Sequence, residues 1–292
     1  MGVKLSWTNR GTVPLDSIKI YRSATKTGTL ELVGTTAGNA LTYEDNTPTV
    51  TNVVYWYSIA SVKDGAETLS KRTPIGYFPD TGPGPKNIII GDWEYGYFGE
   101  VTTDMALLPT FDEVASTGGF TRVAADTPTK YRKWVVNGKI IFIPNAVIGT
   151  YSVVNMINYK LVKAFGNTAS PIMSIDKGDY GFKVRLPTSS PSTDLSGVQT
   201  ITGMADKLKS ELCAQFSTAL NWDNTTNANR WFKDGYRLGD ENNIYSGSGR
   251  IFTGWQDASN VIGLQWSVYT TAAAMATSGT IAGNIIYELD FS

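Results

Sequence analysis

Between Val3 and Val62 apolar residues recur at every second position, in short runs broken by Gly, Pro, Asn and Asp. That period belongs to a pleated strand, whose side chains alternate between faces, and helical spacing does not appear. Val3, Leu5 and Trp7 fall on one face of a first strand, with Lys4 and Ser6 turned to water. Ser17 to Arg22 makes a second strand, and Leu30 to Val33 a third that ends at a Gly34-Thr35-Thr36 turn. Leu41 to Asp45 begins a fourth, broken by Asn46-Thr47-Pro48, and Val54 to Val62 is the longest. Lys63-Asp64-Gly65-Ala66 reads as a hairpin, because Asp-Gly accepts the positive φ that a tight hairpin turn demands. Short strands at this spacing predict two small sheets around one core.

The order of Trp7, Ile18-x-Ile20-Tyr21-Arg22-Ser23, Val33-Gly34-Thr35-Thr36, Thr42-Tyr43-x-Asp45 and Tyr55-x-Tyr57-x-Ile59-x-Ser61 resembles a fibronectin type III domain. The resemblance implies that Trp7 and the alternating apolar residues are core. It also implies that Tyr55 is a corner tyrosine whose hydroxyl bonds back to the backbone, with Tyr57 and Ile59 pointing inward. Such domains serve as spacers or as binding modules, and the fold alone assigns neither role.

Tyr77 to Lys86 concentrates Pro and Gly, the composition of an extended, semi-rigid connection. The sequence therefore divides into a sandwich over 1–79, a linker over 80–86 and a larger domain over 87–292. In that larger domain Asn87 to Gly99 reads as a strand followed by an aromatic loop. Thr110-Phe111-Asp112-Glu113 fits a capping box, predicting a short helix to about Ser116 that stops at Gly118-Gly119. Lys133 to Pro144 is a hairpin by its Asn137-Gly138 turn, and a second is predicted at Ile175 to Tyr180. A helix of one or two turns is expected from Ser152 to Asn158. Met204, Leu208, Leu212 and Phe216 recur every four residues, which describes an amphipathic helix. The last third reads as loops pinned by large aromatics, closed by a strand at Ile285 to Phe291. The fold class is mainly β: a fibronectin type III or Ig-like sandwich followed by a larger β-rich α+β domain.

Composition narrows the chemistry. The chain of 292 residues has no His, which removes the triads and metal sites built on imidazole. Lys plus Arg is 25 and Asp plus Glu 26, so no basic excess is available for nucleic acid. Charged residues make up 17%, below the roughly 25% of an average globular protein, and with 41% hydrophobic residues the chain is expected to fold. The single Cys213 sits in the amphipathic pattern and reads as an inert thiol. No apolar run is long enough to span a bilayer, and no secretory pattern follows Met1, so the expectation is synthesis in a cytoplasm without membrane insertion. No nucleotide-binding or serine-hydrolase motif occurs, and no cofactor or metal is called for.

Two groups of residues bear on function. Trp222, Trp231, Tyr236, Arg237 and Trp255 are aromatic and polar residues of the kind that pack on a sugar ring and take its hydroxyls; the same rings also suit a plain core. Asp223, Asp234, Asp240, Glu241 and Asp257 lie among them. A glycoside hydrolase needs two carboxylates about 5–9.5 Å apart across a cleft, whereas acids beside Asn and Gly also cap turns.

Gly96-Tyr97-Phe98-Gly99-Glu100-Val101, Lys133-Trp134-x-x-x-Gly138-Lys139-x-x-Phe142-Ile143-Pro144 and Tyr180-x-Phe182-x-Val184-Arg185-Leu186-Pro187 resemble motifs of tailed-bacteriophage virion proteins. The resemblance implies a non-enzymatic, surface-exposed accessory or decoration protein, made in the host cytoplasm and carried on the virion. Its partners would be other virion proteins of capsid or tail, in a homo-oligomer or symmetric array. The alternatives are a tail-associated adhesin binding host-surface glycan through the aromatic group, and a glycan-degrading virion enzyme using two of the acids.

Overall fold

The computed structural model describes residues 2–9, 11–120, 127–136, 138–144, 149–152, 173–185, 250–256, 260–265, 272–276, 280–283 and 285–291. The fold is mainly β, and the chain divides into two compact units, Met1–Thr81 with Asp92–Glu94, and Gly82–Gly91 with Tyr95–Ser292.

The first unit has two antiparallel sheets. β1 (Val3–Ser6) pairs with β4 (Thr42–Asp45). β3 (Glu31–Ala37), β2 (Ser17–Ser23), β5 (Val53–Lys63) and β6 (Ala66–Leu69) lie in that order in the other, where β7 (Thr73–Tyr77) also pairs with β5. The alternation seen in sequence sends Val3 and Leu5 from one sheet, and Ile18, Ile20, Tyr55 and Tyr57 from the other, into a shared core that Trp7 packs against. Each aliphatic side chain removed from water there contributes about 1.5–3 kcal/mol. Lys4 and Ser6 are exposed on the opposite face.

β3 continues through Gly34-Thr35-Thr36, where the sequence indicates a turn. The continuation is bonded to β2, and the register shifts beside Ile20, leaving Val33 as an extra residue. The Tyr43 hydroxyl donates to the Val33 carbonyl at 3.0 Å, and a Cβ on Gly34 would collide with that ring. The other edge is interrupted between β6 and β7. There the Ser70 amide donates to Ile59 O at 2.8 Å and its hydroxyl accepts from Ile59 N at 3.0 Å. A bulge on one edge, and a break followed by Pro74 on the other, suit edges kept from pairing with other chains.

β5 is buried on both faces. Its outer row of Trp56, Ser58, Ala60 and Val62 is buried, and polar side chains bond to one another and to the backbone around it. Lys19 pairs with Glu67, and Tyr21 donates to Glu67 at 2.8 Å. Arg72 donates to the carbonyls of Lys26 and Gly28 at 2.8 and 2.7 Å.

The second unit centres on a seven-stranded antiparallel sheet. Its strands are β8 (Ile90–Gly91), β9 (Tyr95–Val101), β10 (Tyr131–Val136), β11 (Lys139–Pro144), β13 (Met173–Lys177), β14 (Tyr180–Arg185) and β19 (Ile286–Asp290), in the order β13-β14-β19-β11-β10-β9-β8. β9 forms where the sequence indicates an aromatic loop, because its backbone ladders to β10, with Gly99 at a positive φ of 124° beside a shift of register. One face carries Tyr97, Trp134, Val136, Ile141, Ile143 and Ile286. Phe142, Phe182 and Tyr287 meet ring to ring in another group, at 5.8 and 6.4 Å. The helix α1 (Phe111–Gly118) opens on the capping box of Thr110 and Glu113 and closes at left-handed Gly119.

β12 (Gly149–Ser152) pairs with β18 (Thr280–Gly283), and β15 (Arg250–Gln256), β16 (Asn260–Gln265) and β17 (Ala272–Ala276) form a three-stranded sheet. Ser152 thus ends a strand where a helix was expected to begin, and strands replace part of the expected loops because their backbones ladder together. Residues 153–158, and the helical pattern from Met204 to Phe216 with Cys213, lie outside the described residues.

Candidate functional site

Of the aromatic group named from sequence, Trp222, Trp231, Tyr236 and Arg237 lie outside the described residues. Trp255 lies in β15 opposite Ile262, beside a register shift. The acids Asp223, Asp234, Asp240, Glu241 and Asp257 also lie outside. The described residues therefore bring neither group together, and the polar clusters that they do assemble are different ones.

The most buried carboxylate of the first unit is Asp45, at the end of β4 and fully shielded from solvent. Its Oδ2 accepts from Arg22 Nη1 of β2 at 2.7 Å and from the Tyr57 hydroxyl of β5 at 2.9 Å. Its Oδ1 accepts from the Thr47 amide and hydroxyl at 2.9 and 2.6 Å. Burial alone would raise this carboxyl, but the bonds from Thr47 and Tyr57 and the charge of Arg22 outweigh it and hold the group below its ordinary value. Burial, and then the bond to Asp45, push Tyr57 well above the usual tyrosine range. Arg22 also lies 5.1 Å over the Tyr55 ring. With four donors already on its two oxygens, Asp45 is occupied in joining β4 of one sheet to β2 and β5 of the other. This is the geometry of a structural tie and not of a general base.

A second group on the first unit combines rings and charges. Phe78 and Trp93 stack at 5.0 Å and 3°, and Trp93 lies against Gly76, where a Cβ would strike the indole. Lys26 Nζ sits 5.3 Å from the Trp56 ring and bonds both Glu94 oxygens, at 2.8 and 2.9 Å. No local signal pairs Glu94 with Lys26, because folding brings the two together across 68 positions.

In the second unit Lys133 of β10 is fully buried. Its Nζ donates to Pro85 O at 2.7 Å and Gly82 O at 3.2 Å, and lies 4.9 and 5.7 Å from the Phe98 and Phe142 rings. Tyr97, whose ring meets that of Trp134 at 4.5 Å and a tilt of 38°, is pushed up to about 12 by burial and by the charge of Glu100. Among the described residues no group of three or more Cys, Asp or Glu stands close enough to hold a metal. Comparison of the chain with protein-family models, with curated proteins and with solved structures finds no match in any of the three.

Proposed function

We propose that the chain is a non-enzymatic structural component of a tailed-bacteriophage particle, a surface-exposed accessory or decoration protein whose first unit is a fibronectin type III-like module. The observation that carries the module is the Tyr55 hydroxyl, which donates to the Val50 carbonyl five residues upstream at 3.1 Å, as a corner tyrosine does. The strand pairing supports it: β1 with β4 on one side of the core, and β3, β2, β5 and the β6–β7 edge on the other. For the second unit the support is the likeness of its motifs to those of virion proteins. Lys133, Trp134, Phe142, Ile143, Phe182 and Val184 of those motifs are buried strand residues, suited to building a rigid body more than to performing a reaction.

On this reading the partners are other virion proteins of capsid or tail, in a homo-oligomer or symmetric array, and the protein is made in the host cytoplasm before it joins the particle. Immunogold labelling of purified particles with antibody against residues 87–292 tests it. Label spread over the head is the expected result. Label confined to the tail tip would replace decoration with host recognition, and particles without label would overturn the virion reading.

A further inference from the structure

Lys133 is fully buried, and its ammonium has a local role that the virion reading does not use. The segment beside it runs Gly82-Pro83-Gly84-Pro85-Lys86, a composition that by itself gives an extended connection without secondary structure. Yet Gly82 and Pro83 are buried, and the segment is bonded along its length to the second unit. Lys133 reaches two of its carbonyls, Gly82 O and Pro85 O. The Gly84 amide donates to Asp104 Oδ2 at 2.9 Å, and Lys86 folds back on Gly82 O at 2.6 Å.

The surroundings of the ammonium are built to receive it. The register of β9 against β10 shifts at Lys133, so Phe98 is the extra residue of a bulge and its ring comes to the lysine. Phe142 faces it from β11. Ring faces and carbonyl oxygens both carry partial negative charge, and out of water each attracts a cation strongly. Gly82 and Gly84 adopt left-handed φ of 77° and 78°, and a Cβ on Gly84 would press on Val101, so the approach of this backbone to the sheet depends on glycine.

We propose that Lys133 is an internal latch: its ammonium, held between two ring faces, clips the Gly82–Pro85 segment onto the seven-stranded sheet and keeps an otherwise extended stretch of chain folded. The order of the segment then depends directly on this one side chain, and it opens locally when the charge is removed.

The experiment uses the full chain and Lys133→Met, which keeps the apolar stem and removes the charge. Trypsin cuts after lysine, and Lys86 is exposed, so the cut there reads how often the segment opens. Cleavage after Lys86 is expected to speed by about tenfold or more in Lys133→Met, with amide protection of β10, β11 and β19 retained. Equal cleavage rates in the two proteins would overturn the latch, as would a loss of protection spread evenly over the sheet. Should Lys133→Met fail to fold, amide exchange of the unaltered chain decides. A Gly84 amide protected to the level of β10 supports the latch, and one exchanging at the rate of an open loop overturns it.

Discussion

The two units bury charge in different company. In the first, Asp45 meets side chains from two other strands, a guanidinium and a phenol, together with the Thr47 hydroxyl and amide. In the second, Lys133 meets backbone carbonyls and ring faces. The difference teaches what each charge holds. The Asp45 cluster ties one sheet to another, so the covering of the core depends on it. Lys133 ties a connecting segment to a sheet whose strands are already joined by their own ladders, so its loss is felt locally first.

The largest test of that contrast is Asp45→Asn. It leaves Arg22 beside a neutral amide that cannot accept four bonds, and breaking a buried ion pair from one side costs about 3–5 kcal/mol. Chemical denaturation should show that loss in the first unit alone, with amide protection of β10 and β11 unchanged; equal loss in both units would break the comparison.

Acid provides the next test. Asp45 titrates lower folded than unfolded, so near its unfolded value of about 4 the unfolded chain binds more protons. Its contribution is complete above about pH 5 and is lost as the pH falls through the folded value. Glu113 of the second unit is also lowered, first by its bond from Lys177 and then by the Thr110 amide, but it is partly exposed and worth less. Amide exchange from pH 5 to pH 2 should therefore show the first unit opening before the second, and Asp45→Asn should flatten that response.

The smallest effect sharpens the assignment of the corner. Tyr55→Phe keeps the ring under Arg22 and removes only the bond to Val50 O, a change of about 1 kcal/mol in the midpoint of the first unit's unfolding. No change would leave the hydroxyl without a role in stability.

Much of the first unit, and the start of α1 in the second, was legible because the signals there are local. Period-two alternation marks which side chains of β1, β2 and β5 face inward, Asp64-Gly65 turns the hairpin with both residues at positive φ, and Thr110 with Glu113 starts α1. The errors fell where a partner strand overrides local preference: Gly34 to Thr36 in β3, and the glycine-rich β9, are strands because β2 and β10 bond them. The candidate aromatic group rests on residue type, which carries no position, and rings such as Trp93 and Phe78 pair through contacts that no spacing announces.

What the amino acids dictated without help is the preference for pleated strands, the places where the chain turns, and the absence of imidazole chemistry, since each follows from a residue and its near neighbours. Only the folded chain decided that its last strand, β19, lies between β14 and β11, that Asp45 answers Arg22 across two sheets, and that Lys133 holds Gly82 and Pro85. Those are contacts between residues far apart in sequence. Many chain paths satisfy the same local preferences, and the path taken is one that gives the buried charges of Asp45 and Lys133 their partners, since leaving such a charge unpaired is costly.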